Sequence, residues 1–273
     1  MPTIHHMTID GSQIGYKVHG TDPVLPYLVF VHGYALSSTG AVYAELLARL
    51  SRGFNVVAFD FRGHGASASA TSPWSFDRVA DDLAYFAKEL GLSNALFVGH
   101  STGGLIGLVT AARYPGLFAG YGLLATAPAV AGRSLPPEAV PTFELYGRDR
   151  TVMETVFTQM YLRPTEVMSA ALDDVGLIEP GVHRSFLEHF AEFRFTDHLA
   201  EVRDPVMLIN GARDVVVLPS DQHETAQGIP RCKEVTFSTE GHMLPVEAPD
   251  LVAQELELFW CQNSVLLATG QPS

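Results

Sequence analysis

The feature that most constrains this chain is the run Gly99-His100-Ser101-Thr102-Gly103, with Gly104 directly behind it. The apolar stretch Ala95-Leu96-Phe97-Val98 leads into it and reads as a short buried strand. Behind it, Leu105, Ile106, Leu108, Val109, Ala111 and Ala112 recur at helical spacing. A serine between two glycines at a strand-to-helix junction sits on a sharp turn that lifts its hydroxyl above the sheet edge. Glycine at 99 and 103 permits a close approach of strand and helix that a Cβ would block. The start of the helix also points backbone N–H groups toward an oxygen reacting at the serine. Alone, the pattern fits a glycine-rich surface turn equally well, so the rest of the chain has to supply the other chemical groups.

The flanking sequence alternates strands and helices. Residues 3–18 predict a hairpin around Asp10-Gly11, and Tyr27-Leu28-Val29-Phe30-Val31 predicts a strand buried on both faces. Helical spacing follows over 41–51, then a strand over 54–60 that runs into Arg62-Gly63-His64-Gly65. A helix over 76–90 has Ser75 as its N-cap and Gly91 at its end, and a strand over 120–125 follows the serine's helix. This rhythm implies βαβ units and a largely parallel sheet. It breaks over 127–198, where short helices punctuated by proline carry many large apolar residues, and resumes at Asp204-Pro205. A strand over 206–210, a helix over 220–227, a strand over 233–237 and an amphipathic helix over 249–260 complete it. The expected organisation is a core of 1–126 and 199–263, a helical cap insertion over 127–198, and a loose tail over 264–273.

Composition removes several classes of function. A hydrophobic fraction of 47% supplies a sizeable core and argues against disorder. The net charge of −13, with no basic cluster, argues against nucleic acid and anionic membrane as partners. Two distant cysteines, Cys232 and Cys261, do not make a disulfide framework and read as buried free thiols. The first residues lack the basic and apolar regions of a signal peptide, and no apolar run reaches the roughly 18–20 residues of a membrane span. A cytoplasmic protein, monomer or homodimer, is the expectation. His5-His6 has no ligand-spaced Cys or carboxylate, and no phosphate-binding glycine loop is present, so no metal and no cofactor are expected.

With these residues in place, the chain resembles the α/β-hydrolase superfamily over nearly its whole length. The resemblance rests on His32-Gly33-Tyr34, Gly99-His100-Ser101-Thr102-Gly103, Gly211-Ala212-Arg213-Asp214 and Gly241-His242, in that order, with Asp60…Arg62-Gly63-His64-Gly65 in support. Each stands at the C-terminal end of a predicted strand, the edge where open parallel sheets place their ligands. The implied fold is a mostly parallel central sheet flanked by helices, with an inserted helical cap.

Acyl transfer at neutral pH needs an activated nucleophile, a base, and a group that holds the base in the right tautomer. Ser101 is the nucleophile, His242 the base and later the acid, and Asp214 the group that orients His242. The order Ser, Asp, His is the one this fold uses. Of the other ten histidines, His32, His64 and His100 sit inside matched motifs that the family uses to pin loops. His5, His6, His19, His183, His189, His198 and His223 are accounted for by surface or cap positions. Asp60, which also ends a strand, is the rival acid. The resemblance assigns the oxyanion donors to the backbone amides of Tyr34 and Thr102.

The implied activity is hydrolysis of a carboxylic ester or lactone of a small to medium apolar or aromatic substrate. Tyr34, Trp74, Phe143, Tyr146, Phe157, Tyr161, Phe190 and Met243 are the expected lining. A serine at 101, where dehalogenases and epoxide hydrolases of the fold carry aspartate, disfavours those chemistries. A cofactor-free perhydrolase or haloperoxidase is the alternative, because Ser-Thr-Gly-Gly over 101–104 is familiar there. Those relatives tend to carry tryptophan where Tyr34 stands. A C–C bond hydrolase and a non-catalytic receptor of the same fold are the remaining readings.

Overall fold

A computed structural model describes residues 2–69, 74–141, 144, 149–162 and 166–269. Eight strands form one sheet in the order β1-β2-β4-β3-β5-β6-β7-β8. They are β1 (Ile4–Ile9), β2 (Ser12–His19), β3 (Tyr27–Val31), β4 (Asn55–Phe59), β5 (Leu96–His100), β6 (Gly120–Leu124), β7 (Val206–Gly211) and β8 (Cys232–Phe237). β1 and β2 are antiparallel, β2 runs antiparallel to β4, and the pairings from β4 to β8 are parallel. The hairpin turn has positive φ at both Asp10 (46°) and Gly11 (74°), as a tight two-residue hairpin requires.

Successive side chains of a strand point to opposite faces, so a continuous apolar run feeds two cores at once. Val29, Val31, Val57, Phe59 and Phe97 pack on one face with α2 (Phe76–Glu89) and α3 (Thr102–Arg113). Leu28, Phe30, Val56, Ala58 and Val98 pack on the other face with α1 (Ala44–Leu50) and the closing helix. α2 starts as its sequence predicts, with the Ser75 hydroxyl accepting from the Arg78 amide. Each fully buried Val, Leu or Phe contributes on the order of 1.5–3 kcal/mol, so both faces hold the sheet firmly under the loops at its C-terminal edge.

Between β6 and β7 the chain leaves the sheet and forms α4 (Arg150–Met160), α5 (Met168–Gly176) and α6 (Pro180–Glu192), with short 3-10 turns before and after them. Val130 makes an isolated antiparallel bridge to Arg194, which closes the base of this excursion. After β7 come α7 (Pro219–Gly228), then β8, the single-turn α8 (Leu244–Glu247) and α9 (Pro249–Thr269).

Two expectations are corrected here. Residues 264–269 continue α9 rather than forming a loose tail. They contain no helix breaker, and the first is Gly270. Neither cysteine is buried as expected: Cys232 is only partly buried, and Cys261 is exposed on α9. Cys261 lies two residues on from the core-facing Phe259, about 200° around the helix and so on its opposite, exposed face.

Candidate active site

The strand-end loops converge on Ser101. It connects β5 to α3 with φ 52° and ψ −116°, a backbone conformation that non-glycine residues adopt only where the surroundings enforce it. Its amide donates to Leu124 O (2.9 Å), and its carbonyl accepts from the amides of Gly104 and Ala127 (both 3.0 Å). The flanking glycines are sterically required. A Cβ on Gly99 would lie 2.4 Å from Gly103 O, and one on Gly103 would lie 2.4 Å from Val31 O. Strand, turn and neighbouring strand therefore touch backbone to backbone, and the serine is held by packing around it.

Ser101 Oγ lies 3.1 Å from His242 Nε2, and His242 Nδ1 lies 2.9 Å from Asp214 Oδ2. Asp214 and His242 are both about 97% buried. Asp214 Oδ1 accepts from the amides of Val216 (2.8 Å) and Val217 (2.9 Å), and Oδ2 accepts also from Gln222 Nε2 (3.2 Å). With its remaining lone pairs met, the carboxylate has one orientation toward the imidazole. The loops bearing the two residues are in contact, since a Cβ on Gly211 would fall 2.3 Å from Glu240 O. The chain therefore brings together Ser101, Asp214 and His242, the three side chains singled out in the sequence.

Asp60, the rival acid, has a different task. It accepts from the amides of Ser38 (2.6 Å), Thr39 (3.0 Å) and Ala66 (2.8 Å) and from the Thr39 hydroxyl. Burial pushes its carboxyl up to about 6 against these stabilising hydrogen bonds. It pins the loop after β3 to the loop after β4, far from any imidazole that faces Ser101.

The histidines inside the motifs also hold loops. Burial holds His32 and His100 down to about 3, so both are neutral near pH 7. His32 Nδ1 donates to Gly33 O (2.7 Å), and its ring stacks on Phe61 at 4.0 Å. His100 Nε2 lies 3.0 Å from His242 O, a group that only accepts, so this nitrogen carries the proton. Its Nδ1 then accepts from the Tyr43 hydroxyl (2.7 Å), and that hydroxyl accepts from the Gly33 amide (3.1 Å). One relay thus ties the loop after β3 to the loop carrying His242, through the residue that precedes Ser101. Tyr43 was not singled out in the sequence; its apolar surroundings gave no signal of the role.

Of the expected oxyanion donors, Thr102 opens α3 and its amide has no intrahelical acceptor. Tyr34 follows Gly33, whose amide and carbonyl are both engaged, and it lines the same cavity as Ser101, Thr102 and His242.

That cavity has a volume of about 270 Å³. Of the residues named in the sequence, Tyr34, Phe157, Tyr161, Phe190 and Met243 line it. Trp74 does not: it is fully buried, edge-on to Phe186 at 4.7 Å and to Phe76 at 4.9 Å. Its indole fills the space beneath α6, where burying so large an apolar surface outweighs facing a ligand. Phe143 and Tyr146 lie outside the described residues. Leu135, Met160, Phe186 and Leu187 line the cavity and were not named beforehand as lining. His183, expected at a surface or cap position, lies on α6 with only 6% exposure and is hydrogen-bonded to the Tyr34 hydroxyl.

A mostly parallel sheet with serine, aspartate and histidine on the loops after β5, β7 and β8 is the arrangement of an α/β-hydrolase. The chain belongs to that superfamily, and to the family described as serine aminopeptidase, S33, whose model matches residues 23–248. It is similar to a non-heme chloroperoxidase of Streptomyces lividans, 31% identical over 232 residues that cover 78% of this chain and 83% of the relative. It is also similar to a bifunctional esterase/perhydrolase of Acinetobacter calcoaceticus, 28% identical over 277 residues, covering 92% and 97%. A bromoperoxidase structure from Bacillus anthracis superposes with a TM-score of 0.84 at 21% identity, covering 94% of this chain and 99% of the other. No helix among the described residues is long and apolar enough to cross a membrane.

Proposed function

We propose that this protein is a serine hydrolase that cleaves a carboxylic ester or lactone through an acyl-enzyme on Ser101. The observation that carries the reading is the chain of contacts from Ser101 Oγ to His242 (3.1 Å) and on to Asp214 (2.9 Å) at the wall of an apolar cavity. Ser101 attacks the carbonyl carbon while His242 Nε2 takes the hydroxyl proton. Asp214 holds the Nδ1 proton and stabilises the imidazolium. The oxyanion is met by the backbone amides of Tyr34 and Thr102, each such donor supplying about 3–4 kcal/mol of transition-state stabilisation. Collapse of the intermediate passes the proton to the leaving alcohol, and water activated by the same imidazole then releases the acid. In this reading the helices between β6 and β7 act as a cap, because α4 and α6 supply the aromatic and aliphatic walls above the serine.

The test is release of p-nitrophenol from acetyl to octanoyl esters, together with a lactone panel, with Ser101→Ala as the blank. Turnover by the wild type that the variant lacks supports the reading, and no turnover on any ester or lactone sinks it.

A second reading draws on the curated relatives, whose names include a chloroperoxidase and an esterase/perhydrolase. Hydrogen peroxide would attack the same acyl-enzyme in place of water, giving a peracid and free Ser101. Peracid formation from acetate and peroxide that outpaces ester turnover would promote this reading over the first.

A further inference from the structure

The stripe that α7 turns inward is Gln222, Thr225 and Ala226, and its first member is a polar side chain with no solvent exposure. Burying an amide costs free energy unless its hydrogen bonds are met, and leucine or methionine would fill such a place without that cost. Gln222 Nε2 lies 3.2 Å from Asp214 Oδ2 and 3.3 Å from Val217 O. A carboxylate and a carbonyl only accept, so the amide nitrogen must face them and the amide oxygen cannot. The direction of the contact is thereby fixed: Gln222 donates to Asp214.

Which oxygen receives the bond matters. Oδ1 is occupied by the amides of Val216 and Val217, whereas Oδ2 receives His242 Nδ1 at 2.9 Å. Among the described residues His242 and Gln222 are the two donors to Oδ2. A donor at that oxygen adds a tether to the carboxylate and takes up part of the negative charge that otherwise faces the imidazole alone. Less charge opposite the ring gives a less stabilised imidazolium. The ring then stays neutral, and able to take the Ser101 proton, down to a lower pH.

The other ionisable groups around the pair are otherwise engaged or carry no charge. The His100 ring, 5.1 Å from that of His242, is kept neutral by burial. Burial keeps the phenols of Tyr34 and Tyr161, which share the cavity with His242, protonated. Glu240, on the loop of His242, accepts from the Thr239 hydroxyl at 3.0 Å, and Glu247 closes α8. Arg213, beside Asp214, is exposed. On α7, Asp221 and Glu224 pair with Arg133, and His223 pairs with Glu234.

We propose that Gln222 is a positioning residue of the triad: through Asp214 it orients His242 and sets the lower pH limit at which His242 serves as base. This rests on the hydrolase reading above and adds a fourth residue to it. Gln222 touches neither substrate nor the reacting atoms and transfers no proton.

The experiment is the pH profile of kcat/KM on p-nitrophenyl acetate in Gln222→Met, which keeps the unbranched stem and removes the donor. The acid limb is expected to move up by about 0.5–1 pH unit. On the alkaline plateau kcat falls about three- to tenfold, with a smaller change in KM, because Asp214 has lost a tether. Gln222→Leu, which also lacks a donor, makes the same comparison if the methionine variant does not fold. Thr225→Val is the control for packing: it removes the hydroxyl of the same stripe that accepts from the Ala129 amide at 3.3 Å. It lowers the melting temperature and leaves the acid limb in place. An acid limb within about 0.2 pH unit of wild type in the Gln222 variants, or an equal shift in Thr225→Val, overturns the proposal.

A measurement without substrate separates the proposal from the ester reading. The imidazole of His242, assigned by its absence from the ¹⁵N NMR spectrum of His242→Asn, is titrated in the wild type and in Gln222→Met. A midpoint raised to the same extent as the acid limb supports Gln222 even where no ester is turned over. An unmoved midpoint overturns the proposal whatever the ester panel shows.

Discussion

Tyr34 and His183 are joined by a hydrogen bond between the phenol and Nδ1, although 149 residues separate them. The Tyr34 ring also stacks on Phe186 of the same helix, with centroids 3.8 Å apart and planes 7° from parallel. The residue whose amide is proposed to meet the oxyanion is thus clamped by α6. Its backbone position depends on how that helix sits.

His183→Ala removes this bond and leaves the buried Tyr34 hydroxyl without its partner. Leaving a buried donor unpaired costs about 1–3 kcal/mol, so the melting temperature should fall by several degrees. A displaced Tyr34 amide stabilises the oxyanion less well, and kcat on a p-nitrophenyl ester should drop about tenfold with a smaller change in KM. Steady-state kinetics and a thermal melt check both. An unchanged kcat with a lowered melting temperature would show that the clamp is structural only.

Asp214→Asn tests the orientation of His242. Asp214 Oδ1 is held by the amides of Val216 and Val217, which need an acceptor. The asparagine oxygen must therefore occupy that site, which turns the NH₂ group toward His242 Nδ1. The imidazole then carries its proton on Nε2 and cannot accept one from Ser101. A loss of roughly 10⁴-fold in kcat is expected with the fold intact. Loss of less than tenfold would mean that another group orients the base.

The difference between Tyr34–His183 and the triad explains what could be read from the chain alone. Runs such as Leu28–Val31 and Leu96–Val98 announce buried strands, because a strand covered on both faces must be apolar at every position. Ser101, Asp214 and His242 are readable because each closes a strand at one sheet edge, so topology brings them together before any side-chain detail is known. The clamp on Tyr34, the Tyr43–His100 relay and the burial of Trp74 depend on how separate helices pack, and helical periodicity names an apolar face without naming what it meets. The helices between β6 and β7 show this most clearly. Phe186 and Phe190 share one face of α6 and touch both the cavity and the core, so no pattern distinguishes lining from packing.

Tyr43→Phe interrupts the relay at its middle. The Gly33 amide loses its acceptor, and His100 Nδ1 loses its donor. Both are buried, so a stability loss of about 1–3 kcal/mol is expected by denaturant melts. Because the relay joins the loop before Tyr34 to the loop of His242, kcat should fall as well. A variant that loses stability but keeps wild-type kcat would show that neither loop moves when the relay is cut.

The second carboxylate against the loop after β3 gives a prediction in pH. Asp174, on α5, accepts from the Ser37 hydroxyl at 2.9 Å, while Asp60 holds the amides of Ser38 and Thr39 from the other side. Burial pushes the Asp174 carboxyl from an ordinary 3.8 up to about 7, and the neighbouring Asp60 adds to the rise. A carboxyl whose folded value lies above its unfolded value takes up a proton on folding. Its contribution to stability is full below about pH 4 and is lost as pH rises through about 7. The effect is at most about 4 kcal/mol between those limits. Asp174→Asn keeps an acceptor for Ser37 and removes the titration. The variant should match the wild type within about 1 kcal/mol near pH 4.5 and be the more stable protein at pH 8, with chemical denaturation followed across that range. A wild type that gains stability relative to the variant as pH rises would show that Asp174 is charged in the folded protein, and that α5 is held to the loop by an ionised carboxylate.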